Sequence, residues 1–214
     1  MKKIKNQYLN NSEIINWKHP SIQALSKFLA EDLRGSKGNK GNNGDKVEIA
    51  KRCFEFVRDE IRHSFDFKVD KITLIASDVL AETTGYCFAK SHLLAALLRA
   101  NDIPAGLCYQ RLSLNDDGAP YTLHGFNAVY LENIGWYRVD PRGNKFGVDA
   151  QFTPPVEQLA FNINFDEECT FPEIWPEPIP MIVDTLARHK HSGYDDVWRD
   201  LPDIQWVSAD FNFR

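Results

Sequence analysis

Residues Glu82 to Asp102 read ETTGYCFAKSHLLAALLRAND, and the character of the chain changes at Cys87. Two threonines and a glycine precede it; a ladder of Leu and Ala follows, closed by Asn101 and Pro104 as helix stop signals. The pattern predicts a helix that opens on the cysteine, with Thr83 or Thr84 as its cap and Gly85 as the sharp turn before it. A thiol there lies near unpaired backbone N–H groups at the positive end of the helix dipole. That position favours the thiolate and offers donors to a developing oxyanion. A cysteine buried only for packing could sit anywhere along the ladder, whereas this one sits at its mouth.

Outward from this helix the hydrophobic period changes. Downstream, PAGLCYQRLSL (104–114), YTLHGFNAVYL (121–131) and GWYRVD (135–140) alternate or run apolar and are rich in Tyr, Val, Phe and Trp. They read as three strands of a meander, joined by a polar turn at NDDGAP and a tight one at ENIG. Upstream, Ile22, Leu25, Phe28, Leu29 and Leu33 recur at helical spacing after Pro20, predicting a helix over Ser21–Leu33. The next stretch, RGSKGNKGNNGDK, lacks apolar anchors and reads as a mobile loop. A second helix follows, with Asp45 able to cap it and Val47, Ala50, Phe54, Val57 and Ile61 on one stripe; Cys53 beside that stripe reads as packing. SDVLAET reads as one helical turn leading into the cysteine helix. From Pro141 to Arg214 the chain is rich in Pro and aromatics without clear periodicity, as expected of short helices and loops that wrap a core. Helices followed by a meander predict an α+β fold.

The chain has 214 residues, 43% hydrophobic and 12% aromatic, which suits one core more than two. The expected organisation is a single domain over 1–214, with its core at about 45–144, an N-terminal helical segment at 1–34 and a C-terminal extension at 145–214. Basic residues number 25 against 30 acidic ones, a formal net charge of −5, which argues against broad electrostatic capture of nucleic acid or anionic lipid. MKKIKNQYLNNSEIINWKHP begins with lysines, but no apolar run or small-residue cleavage site follows, and no segment approaches the length that spans a bilayer. A cytoplasmic protein with reduced thiols is the expectation, because Cys53, Cys87, Cys108 and Cys169 are too scattered for a disulfide framework.

A nucleophilic thiol needs a base, and histidine has the right pKa both to take its proton and to return it. His19, His189 and His191 lie in polar or charged segments, His92 follows Cys87 on another side of the same helix, and His63 reads as ending a helix. His124 differs, because it interrupts an apolar strand and therefore needs a partner. A hairpin folded about Glu132 would pair His124 directly with Asp140, where the carboxylate could orient the imidazole. A slip of one residue would send the two side chains to opposite faces.

The segments TGYCFAKSHLLAALLRANDIPAGLCYQ, LHGFNAVYL and GWYRVDPRGN resemble the transglutaminase-like cysteine superfamily, in its bacterial-type form, over about Leu80–Asn144. The resemblance implies a papain-like architecture in which the cysteine helix packs on an antiparallel sheet. It makes Cys87 the nucleophile, His124 the general base and acid, and Asp140 the orienting carboxylate. Two departures stand out: Gly125-Phe126 follows the histidine where many relatives carry Ala-Trp, and Gly106 stands where many carry arginine.

The expected function is attack on an amide of a peptide, protein or small molecule through a Cys87 thioester. Hydrolysis is preferred to amine transfer because nothing reads as a second substrate-recruiting domain. The alternative is a non-catalytic peptide- or protein-binding module, which a cleft plugged by FPEIWPEPIP would favour. Tyr86 beside the nucleophile and Gln110, with Arg111, at the end of the next strand are the candidate substrate contacts. An oxyanion side chain upstream of Cys87 is expected without being singled out, and RGNKFGVDAQF reads either as a loop that closes over the site or as connecting chain. Cysteine and histidine spacings do not suit zinc, no glycine signature marks a nucleotide site, and no cofactor is expected.

Overall fold

The computed structural model describes residues 6–31, 33 and 43–204. In chain order its elements are α1 (Pro20–Leu29), α2 (Asn43–Glu60), β1 (Arg62–His63), α3 (Ala76–Glu82), β2 (Thr84–Gly85), α4 (Cys87–Ala100), β3 (Ala105–Ser113), β4 (Tyr121–Leu131), β5 (Gly135–Val139), β6 (Gln151–Thr153), β7 (Val156–Gln158), β8 (Cys169–Thr170), α5 (Pro180–Arg188) and α6 (Tyr194–Arg199).

Helix α4 is apolar around most of its circumference, and such a helix is stable only where every side is covered. All of its residues from Cys87 to Arg99 are buried. Helices α1, α2 and α3 pack on one side of it and strands β3 and β4 on the other. Each fully buried leucine, such as Leu93, Leu94 and Leu97, contributes about 1.5–3 kcal/mol relative to an exposed one.

Strands β5, β4, β3 and β8 form one antiparallel sheet in that order. All nine residues of β3 are buried, because α4 covers one face while Cys108, Phe126 and Ala128 meet Trp136, Leu159 and Ile174 on the other. This is the α+β, papain-like arrangement expected: a cysteine helix laid on an antiparallel sheet.

The boundaries shift where tertiary contacts override local pattern. Helix α1 ends at Leu29, with Ala30 as its C-cap, and not at Leu33. The loop expected over RGSKGNKGNNGDK lies outside the described residues as far as residue 42, and α2 already begins at Asn43, so Asp45 lies in its first turn. SDVLAET contributes to a seven-residue helix, longer than one turn. The aperiodic C-terminal part supplies an edge strand, β8, to the main sheet. No described helix is long and apolar enough to cross a membrane.

Candidate active site

Cys87 is the first residue of α4 and is 6% exposed. Its helix is not capped as expected: Tyr86 is the N-cap, in extended conformation, and makes no side-chain cap hydrogen bond. Thr83 instead closes α3 in the left-handed region at φ 51°. Thr84 donates its hydroxyl to the Arg62 carbonyl at 3.1 Å. Gly85 is a point of close approach more than a turn, since a Cβ there would lie 3.1 Å from both Ala89 Cβ and Thr73 Oγ1. These three residues build the approach to the helix and leave its first amides without a side-chain cap. One turn further on, Lys90 donates from Nζ to the carbonyls of Arg58, at 3.3 Å, and Ile61, tying α4 to the end of α2.

The register that presents His124 differs from the simple hairpin. The β4–β5 ladder pairs Leu131 with Gly135, Tyr130 with Trp136 and Asn127 with Val139, so Glu132, Asn133 and Ile134 form the turn before Gly135 at φ 95°. Asp140 therefore falls in line with Phe126, two positions from His124, and the expected direct pairing is not what forms. A shift of two residues preserves the face of the sheet, and a diagonal neighbour remains within side-chain reach. His124 Nε2 lies 2.7 Å from Asp140 Oδ2. Because β5 stops opposite Asn127 while β4 continues along β3 to Tyr121, the end of β4 bearing His124 is left free of β5.

Asp140 is fully buried and satisfied on both oxygens: Oδ1 accepts from the Arg142 amide at 3.0 Å, and Oδ2 accepts from the Ala160 amide at 3.2 Å besides meeting His124. Burial pushes its pKa up, but His124 and these two amides outweigh burial and hold it below 3.8. Burial likewise opposes charge on His124; Asp140 and Cys87, by charge and hydrogen bonding, override it and raise the imidazole from 6.5 to about 10. With Nε2 on the carboxylate, Nδ1 is the nitrogen left to meet the thiol. Phe161 stands edge-on to the His124 ring at 5.0 Å and Phe126 stacks at 6.0 Å, which fixes the ring plane.

Cys87 and His124 open into a cleft of about 580 Å³. Phe65, Phe161, Trp198 and Leu201 supply apolar wall, while Ser113, Thr122, Asn162 and Asn164 supply polar groups. Tyr86 lines the cleft and anchors its hydroxyl on the Tyr194 carbonyl. Gln110 does not line it: the side chain is turned to Thr170 Oγ1 at 3.0 Å and the Phe161 carbonyl at 3.4 Å, directly opposite His124 in the β3–β4 register. Arg111 forks onto Asp203 at 2.6 and 2.8 Å and so holds the C-terminal segment, not a substrate. Lys145, Phe146, Gly147 and Val148 from the RGNKFGVDAQF stretch do reach the cleft, with Phe146 fully exposed. The FPEIWPEPIP segment instead lies along β3, where Trp175 and Leu107 exchange backbone hydrogen bonds at 2.7 and 2.8 Å.

Sequence reading missed part of this cleft. His63 does not end a helix; it lies in β1, is 5% exposed and faces the cleft. Asp66 accepts a fork from Arg142 at 2.7 and 3.0 Å and a bond from Lys145 Nζ at 2.7 Å. Burial opposes the charge on Asp66, but these two cations draw its pKa down to about 2. No spacing in the sequence marks them, because the contacts join segments separated by much of the chain. Among the described residues no group of three His, Cys, Asp or Glu side chains could hold a metal ion, and all four cysteines are free.

The family model for the transglutaminase-like superfamily matches residues 28–141, more than half of the chain and a span that includes Cys87, His124 and Asp140. Among solved structures, one from Cytophaga hutchinsonii, provisionally described as a cysteine protease, aligns with a TM-score of 0.43 and 18% identity. The alignment covers 63% of this chain and 40% of that one, so the chain spans less than half the length of this neighbour, and likeness at that level carries no inference about activity. No curated protein matches the sequence.

Proposed function

Because the chain belongs to the transglutaminase-like superfamily, a family of cysteine-based catalysis in coarse terms, we propose that it is an acyl-transfer enzyme acting on an amide. Cys87 is the proposed nucleophile, His124 the general base and acid, and Asp140 the orienting carboxylate. One observation carries this reading: a buried imidazole, held at 2.7 Å by a buried carboxylate, shares a cleft with a cysteine at a helix start. That is a nucleophile, a base and an orienting group in sequence.

In the proposed reaction the Cys87 proton is already held on His124, the Cys87 sulfur bonds to the acyl carbon, and the carbonyl electron pair moves onto oxygen. Collapse breaks the C–N bond, and His124 returns the proton to the departing amine. An acceptor then attacks the thioester, His124 takes its proton, and the C–S bond breaks to release the acyl product and restore the thiol. Water is the proposed acceptor, since the polar groups along the cleft suit a site that admits it, whereas amine transfer needs water kept out. A peptide, a protein side-chain amide or a small amide remains the proposed substrate class.

The test is the rate of Cys87 alkylation by iodoacetamide, with Cys87→Ser as the blank and His124→Ala as the comparison. Alkylation should slow by about 100-fold in His124→Ala, the low end of what a positioned base contributes. A rate indifferent to His124 would reject the enzyme in favour of a peptide-binding module on the same fold. Glutaminyl peptides supplied with and without a fluorescent primary amine then separate hydrolysis from transfer by their products.

A further inference from the structure

His63 is tied to the start of the cysteine helix by backbone. It pairs with Gly85 in the parallel β1–β2 ladder, and the Ser64 amide donates to the Gly85 carbonyl at 3.1 Å, placing the imidazole beside the chain two residues before Cys87. Its ring packs edge-on against Tyr86 at 5.5 Å and lines the cleft with Cys87 and His124.

What sets it apart from a packed histidine is its hydrogen bonding. His92 is buried as deeply, and its Nδ1 is satisfied by the Leu74 carbonyl at 2.8 Å. Among the described residues His63 Nδ1 is buried with no hydrogen-bond partner; Asp66 Oδ2 stands 3.6 Å away, beyond hydrogen-bond range. Asp66 is moreover committed to Arg142 and Lys145. Burial, then Arg142, with smaller contributions from Lys90 and His124, holds His63 well below 6.5 against the opposing pull of Asp66. The cleft thus holds two imidazoles in opposite states, one charged by a dedicated carboxylate and one neutral with a single N–H to give.

We propose that His63, as its Nε2–H tautomer with the buried Nδ1 unprotonated, is the side-chain donor to the oxyanion that forms when Cys87 attacks an acyl carbonyl, acting with the Cys87 amide at the start of α4. The inference rests on the acyl-transfer reading above. A donor fixed by β1 before the substrate arrives needs no reorganisation as charge develops on the oxygen, and a neutral imidazole can polarise a carbonyl without competing for the thiol proton.

Alkylation and acylation separate this role from a structural one. Iodoacetamide reacts at a saturated carbon and forms no oxyanion, whereas p-nitrophenyl acetate acylates the thiol through one. In His63→Leu, which keeps the volume and loses the donor, the burst of p-nitrophenolate from Cys87 should slow by about 100-fold, the low end for loss of one such donor. Alkylation should stay within about twofold of the parent, and His63→Gln, with an amide near the Nε2 position, should recover most of the burst. If His63→Leu loses cooperative melting, His63→Gln against His63→Asn carries the comparison, with Asn the slower. Equal burst rates in the parent and the donor-less variant overturn the proposal, as does a parallel fall in burst and alkylation, which would make His63 a prop for the Cys87–His124 pair. A parent whose alkylation ignores His124 defeats the acyl-transfer reading itself and this inference with it.

Discussion

Replacing Asp140 by Asn would remove the charge that keeps His124 protonated while leaving its burial intact. The imidazole, raised to about 10 in the parent, should then titrate lower, because burial is no longer opposed by the Asp140 charge and Cys87 alone still favours the charged ring. A histidine-resolved NMR titration reads this directly, and turnover should fall by about 10²–10⁴-fold, as when an orienting carboxylate is lost from a triad. Stability follows the same pair. The raised His124 contributes stability that is fully present below 6.5 and lost as pH rises through about 10, whereas the depressed Asp140 contributes stability present above 3.8 and lost as pH falls through its folded value. Urea midpoints of the parent should therefore fall between neutral pH and pH beyond 10, and those of Asp140→Asn should change less over the same window.

The two departures from the family pattern are explained by what packs on each element. A Cβ on Gly125 of β4 would lie 2.4 Å from Phe88 Cδ1, so the aromatic ring following Cys87 occupies the space that an alanine would need. A Cβ on Gly106 of β3 would meet Ile174 Cγ2 at 2.4 Å, because the C-terminal segment covers that strand. Gly125→Ala should thus cost about 1–3 kcal/mol in urea unfolding by forcing Phe88 off its seat, and should slow Cys87 alkylation because Phe88 is the next residue of α4. Adding Phe88→Leu should restore part of both; simple additivity of the two variants would show that the contact does not couple them. Periodicity alone found α4, β3, β4 and β5 to within a residue or two, since each presents a long apolar pattern. It could not find β1, β2 or β8, which are two residues each and exist only through their partners.

Across the molecule, the cleft is held by contacts between distant segments. Asp66, just after β1, binds Arg142 and Lys145 beyond β5, while Trp198 stacks on Phe65 at 4.2 Å and the Pro202 carbonyl takes the Leu123 amide at 3.0 Å beside the free end of β4. Asp66→Asn would strand the Arg142 guanidinium, whose side chain is 7% exposed, and should destabilise towards the low end of about 3–5 kcal/mol, measured by urea unfolding. Because Asp66 is drawn from 3.8 to about 2, its contribution is present above 3.8 and disappears as pH falls towards 2; the parent and variant should converge over that interval. Failure to converge would mean that the loss in the variant arises elsewhere.

From the sequence alone came the helix that opens on Cys87, the three strands after it, and His124 and Asp140 on one face of a hairpin. These depend on local period and on the parity of strands, and parity survived a register two residues away from the simple one. Tertiary structure decided the rest: that Thr83 and Thr84 serve neighbouring elements and not the cap, that Gln110 turns away from the cleft, that His63 enters it, and that Asp66 ties down Arg142 and Lys145 at its wall. Those outcomes turn on which side chain fills which space and which carboxylate is already committed, and such competition is settled only when distant parts of the chain pack together.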